Sequence, residues 1–179
     1  ARAWRFFRDQ LNWQPPKVTY HPSAEVLQAF IDRNPVLSCD TETDGKESLL
    51  ANLRCIALGT DKEVMVIGTR PIGVVPDWLL RPDELAERTE KFWGFYTSFE
   101  MERVLDVIRR WLVDPTKLKV GQNFGYYDYL VLEAQLGVKA APILDTMVLH
   151  RLVESELPHS LTFIGSIYTD APSWKCYDP

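Results

Sequence analysis

Three short runs of branched apolar residues come early in the chain and limit what it can fold into. Pro35-Val36-Leu37-Ser38-Cys39-Asp40, Leu53 to Leu58 and Val64 to Ile67 are too short for stable helices and rich in side chains that suit a pleated surface. Gly59-Thr60-Asp61-Lys62 between the last two is turn chemistry, which predicts a hairpin. After residue 98 the period changes. Apolar side chains at 101, 104, 105, 108, 111 and 112 predict a helix over Phe99 to Val113. Leu118 to Val120 reads as one more strand. Helices are expected over Tyr126 to Leu136, ended by Gly137, over Ile143 to Leu157, stopped by Pro158, and over Ser160 to Tyr168. Ser23 caps an earlier helix that carries Val26, Leu27, Phe30 and Ile31. A β-rich first half followed by helices around another strand predicts an α/β fold, a mixed central sheet flanked by helices.

Composition adds mainly exclusions. The 179 residues are 46% hydrophobic and 25% charged, which fits one globular domain over 23–179. Residues 1–22 read as an arm or linker, with Trp4, Phe6, Phe7 and Trp13 before an extended Pro15-Pro16. Residues 68–97 read as an irregular connection with one short helix. Cys39, Cys55 and Cys176 form no CxxC pair, so free thiols in a reducing cytoplasm are expected rather than a disulfide framework or a zinc site. No apolar run approaches the roughly 20 residues of a membrane span, and the first residues contain no signal-peptide core. The formal net charge of −5 argues against a protein that coats nucleic acid non-specifically.

Two motifs carry chemistry. In Asp40-Thr41-Glu42-Thr43-Asp44-Gly45 the first two acids stand two apart at the end of a strand, so both project from one face. Adjacent carboxylates repel, and a cation between them relieves the repulsion. An oxygen-only pair suits magnesium or manganese better than zinc. Alone, a DxE is also what an acidic surface loop looks like. The second motif, Gly121-Gln122-Asn123-Phe124-Gly125-Tyr126-Tyr127-Asp128, follows a strand and opens a helix, bringing a third acid to the sheet edge.

Together these stretches resemble the first two motifs of the DEDD 3′–5′ exonucleases, most of all the proofreading domain of family A DNA polymerases, including phage-type ones. Leu144-Asp145-Thr146-Met147 and Leu157-Pro158-His159-Ser160-Leu161 are similar to that domain's next helices, so the resemblance spans about Val36 to Asp178. It implies a ribonuclease-H-like exonuclease fold and two divalent cations, Mg2+ or Mn2+, held by Asp40, Glu42, Asp128 and a fourth acid. Asp178 is the favoured fourth ligand, because Cys176-Tyr177-Asp178-Pro179 resembles the end of the third motif. Asp170 is the alternative, and neither completes the family spacing. Asp145 matches a structural position and is left out of the metal set. Tyr177 would orient the attacking water. Thr41, Asn123, Phe124 and Tyr127 would contact nucleic acid, Tyr126 is a further stacking candidate, and Leu50 could wedge between bases.

The activity implied is hydrolysis of single-stranded DNA 3′ ends to nucleoside 5′-monophosphates, as the proofreading unit of a DNA polymerase carried on the same or an associated chain. The expected setting is cytoplasmic, in a cell, a phage-infected host or an organelle matrix. Two other readings stay open. One is an RNA-directed exonuclease of the same superfamily, as in ribonuclease D. The other is a catalytically silent nucleic-acid-binding module, which the incomplete third motif favours.

Overall fold

The computed structural model describes residues 14–69 and 96–169. The connection expected over 68–97 therefore lies almost wholly outside the described residues, as do the first 13 residues of the expected arm and the third-motif candidates Asp170, Tyr177 and Asp178.

Six strands form one mixed sheet: β1 (Lys17–Tyr20), β2 (Val36–Thr43), β3 (Leu53–Gly59), β4 (Glu63–Gly68), β5 (Leu118–Gly121) and β6 (Ile143–Asp145). Their order across the sheet is β1-β4-β3-β2-β5-β6. The β2–β3 and β3–β4 pairs are antiparallel, while β1 runs parallel to β4 and β5 and β6 run parallel to β2. The predicted hairpin is β3–β4, where Thr60 accepts from the Lys62 and Glu63 amides in the turn.

The helices are α1 (Ala24–Arg33), α2 (Ser98–Val113), α3 (Asp128–Leu136), α4 (Thr146–Val153) and α5 (Leu161–Tyr168). Ser23 caps α1 by accepting from the Val26 amide. Thr97 and Glu100 close a reciprocal capping box on α2. One apolar cluster joins Leu27, Phe30 and Ile31 of α1 and Val104, Ile108 and Leu112 of α2 to Leu37, Ile56, Leu58 and Ile67 of the sheet. Burial of this kind contributes roughly 1.5–3 kcal/mol per large aliphatic side chain.

Three elements depart from the sequence reading. Lys17–Tyr20, placed in the arm, is a strand on the sheet edge; it is mostly exposed, so it has no buried alternation by which to recognise it. The single helix expected over Ile143 to Leu157 is a strand followed by α4. Asp145 separates them by capping α4, its side chain accepting from the Met147 and Val148 amides. Helix α3 starts at Asp128 rather than Tyr126, because the preceding residues are used in a turn.

Candidate active site

The parallel strands β2, β5 and β6 bring their carboxyl ends to one edge of the sheet, the place where open α/β sheets bind ligands. Pairing of Ser38 with Val120 sets Asp40 two residues beyond, level with the turn that follows β5. Exposure alternates along β2: Leu37, Cys39 and Thr41 are buried, whereas Ser38, Asp40 and Glu42 are exposed on the other side. The same-face placement of Asp40 and Glu42 expected from the strand period is therefore present.

Asp128, the first residue of α3, is buried. Its Oδ1 accepts from the Thr41 amide at 2.9 Å and the Thr41 hydroxyl at 2.6 Å. The residue between the two β2 acids thus orients the third. Burial pushes the Asp128 carboxyl up, the Thr41 hydrogen bonds oppose this, and the Asp145 charge adds to it. Asp40 is solvent-exposed as a residue, but its carboxyl is shielded enough to be perturbed. Burial first, then Asp128, then Glu42 raise its pKa from 3.8 to about 6. Both nearby thiols sense the same field. Burial, then the acid charges (Asp128 and Asp40 for Cys39, Glu42 and Asp40 for Cys55), push them upward.

The turn between β5 and α3 has a specific build. Gly121 touches Phe124 so closely that a Cβ there would lie 2.6 Å from the ring. Asn123 adopts a left-handed backbone, φ 58°, which asparagine tolerates better than most residues. Asp145 reaches across from β6 to hold the turn, with Oδ1 accepting from the Asn123 amide at 3.0 Å and Oδ2 from the Gly125 amide at 3.1 Å. With the two α4 amides, this carboxylate accepts four backbone hydrogen bonds, and its role is to fix the turn.

The expected nucleic-acid contacts divide. Phe124 is completely buried in the core and has no face free for a base, which corrects that expectation. Thr41 is also buried, and it commits both its donors to Asp128 rather than to a strand of nucleic acid. Tyr127 is half-buried, and its hydroxyl lies 2.6 Å from both Thr43 Oγ1 and the Gly45 carbonyl, where it braces the loop after β2. Asn123 lies on the open turn. Tyr126 and Leu50 are the exposed members, at 76% and 82% of their surface.

The donors at this edge are all oxygens, and burial together with neighbouring acid charge has raised the pKa of both Asp40 and Asp128, which suits a hard divalent cation in kind. They are not drawn together as a closed ligand cage: among the described residues no three acids, histidines or cysteines cluster tightly enough to hold a metal. Among the same residues, no helix is long and apolar enough to cross a membrane.

No family model matches the chain. Solved structures share its fold. Brucella melitensis NrnC bound to pGG is similar with a TM-score of 0.58 and 18% identity, over 87% of this chain and 62% of that one. A second structure of that protein, with bound Mg2+, gives a TM-score of 0.57 at 17% identity over 88% and 63%. Escherichia coli RNase D, an exoribonuclease involved in structured RNA processing, gives 0.56 at 16% identity over 87% and 34%. The chain thus spans under two thirds of the length of these proteins. The six-stranded sheet with its flanking helices is a ribonuclease-H-like exonuclease fold.

Proposed function

We propose that the chain is a metal-dependent 3′–5′ exonuclease unit that hydrolyses single-stranded 3′ ends to nucleoside 5′-monophosphates. The observation that carries this reading is the placement of Asp40 and Glu42 on one face of β2, with Asp128 held by the intervening Thr41 and Asp40 perturbed by its neighbours. Asp40, Glu42 and Asp128 would hold divalent cations, with Asp178 as the favoured fourth ligand and Asp170 as the alternative. Bound cations of this kind activate a water and stabilise the leaving 3′ oxygen. The chain's own part is positional: Thr41 fixes the rotamer of Asp128, and Asp145 fixes the turn that precedes it.

RNA is the favoured substrate. RNase D acts on RNA by name, and the NrnC complex contains a short nucleotide chain, pGG. These likenesses support an RNA-directed enzyme better than the polymerase-proofreading reading suggested by the motifs. The test is digestion of 5′-labelled RNA and DNA strands of matched sequence with Mg2+ or Mn2+. The expected result is stepwise shortening from the 3′ end, faster on RNA and abolished by EDTA. Faster loss of DNA would return the proofreading reading. No cleavage of either strand by the folded chain would overturn the catalytic reading in favour of a silent binding module.

A further inference from the structure

The turn at 123–126, which leads into Asp128, and helix α4 enclose an open groove of about 570 Å3, lined by Asn123, Gly125, Tyr126, Asp145, Val148 and Arg151, with Met147. That size is within the range of small-ligand sites. Among the described residues, two of its side chains make no hydrogen bond or ion pair. Tyr126 is 76% exposed and stands two residues before Asp128. Arg151 is exposed on α4. Every other arginine among the described residues is paired with a carboxylate: Arg33 with Glu63, Arg54 with Asp44, Arg103 with Glu25, Arg109 with Glu102 and Arg110 with Asp106. In a chain of net charge −5, one groove arginine without an acid partner is unusual. Asp145, the one acid that lines the groove among the described residues, turns its oxygens toward four backbone amides, which blunts its repulsion of an anion.

An exposed aromatic ring beside an unpaired guanidinium is the pair of groups that grips single-stranded nucleic acid, the ring under a base and the cation on the backbone. We propose that this groove is a nucleotide subsite in which Tyr126 stacks a base and Arg151 holds a backbone phosphate. The inference rests on reading Asp40, Glu42 and Asp128 as the hydrolytic centre. A 3′–5′ exonuclease removes the terminal nucleotide, and nothing lies beyond it on the 3′ side. A second subsite therefore takes the chain on the 5′ side of the cleaved linkage.

The test compares two substrates. Octauridylate has an upstream chain, while the p-nitrophenyl ester of uridine 5′-monophosphate has the terminal nucleotide and its phosphate but no upstream chain. With Arg151→Met, KM for octauridylate should rise about fivefold, and the slope of log Kd against log salt for the 5′-labelled octamer should fall by about 0.7, one phosphate contact. Arg151→Lys should restore most of that slope. Tyr126→Ala should weaken octamer binding by about tenfold, the effect of losing one stacked base. In each variant the loss on the octamer should exceed the loss on the ester at least fivefold, with an unchanged melting temperature. Equal losses on both substrates, or no loss on the octamer, would overturn the subsite. Failure of the wild type on both substrates would sink the hydrolytic reading, and this inference with it. Normal hydrolysis with an indifferent Arg151 would sink the subsite alone.

Discussion

The two ends of the parallel strands treat charge in opposite ways. At the amino end, Lys117 donates to the Ile31 and Asp32 carbonyls at 2.8 and 2.9 Å, closing the carboxyl terminus of α1. Lys119, fully buried, donates to the Asp114 and Ala141 carbonyls at 2.7 and 2.8 Å, and its ammonium lies 5.6 Å from the Trp111 ring centre. Burial lowers its pKa to about 8, yet its proton donors are engaged. Three of these four carbonyls end helices, where the lysines also complement the dipole, and the fourth, of Ala141, lies in the loop before β6. At the carboxyl end, Asp40 and Glu42 stand side by side on β2 and no lysine or arginine pairs with either among the described residues. The lysines at one end are satisfied by carbonyls, whereas the β2 acids at the other repel each other.

That contrast can be broken in three ways. The largest effect is expected from the double change Asp40→Ala, Glu42→Ala. Nuclease activity, followed on labelled RNA, should fall at least about a thousandfold, while thermal denaturation stays near wild type because repulsion has been removed. Next, Lys119→Met should cost about 2 kcal/mol in urea denaturation, since two part-buried carbonyls lose a charged donor. Its specific activity at low temperature should be retained. A loss of activity with full stability would reverse the assignment of the two ends.

The smallest effect is on Asp40 itself. Its folded pKa, near 6, lies above the unfolded value of 3.8, so the folded chain binds the extra proton between these values. Stability of the metal-free protein should therefore fall as pH rises from about 4 to about 6 and level off above. In EDTA, Asp40→Asn should be more stable than wild type at pH 7.5. The gain is on the order of 1 kcal/mol after allowing for solvent screening of a partly exposed group, and it should vanish below pH 4. A variant that is no more stable at pH 7.5 would mean the acids at this edge are not strained.

Much of this arrangement was legible in the residues, for identifiable reasons. Leu53–Gly59 and Glu63–Gly68 are partly buried strands separated by turn chemistry, and α2 has both its period and its capping box written locally. Asp40 and Glu42 could be placed because strand alternation is a short-range rule. What stayed hidden depends on distant partners. Phe124 looks like a stacking residue in a loop motif, and only its packing against Gly121 makes it core. Lys17–Tyr20 becomes a strand only because β4 offers an edge. Arg151 shows no signal in sequence; its significance is that no acid among the described residues pairs with it, which depends on the fold.

The turn after β5 also divides the freedom of its positions. Gly121 is constrained by the Phe124 ring against it, Asn123 by its left-handed backbone, and Phe124 by complete burial. Tyr126, two residues along, meets no such demand. Lineages that inherit this turn can therefore hold the first positions constant for folding and vary the later one. On the proposed subsite reading, preference among nucleotides would drift through a single side chain while Asp40 and Glu42 stay where the sheet puts them.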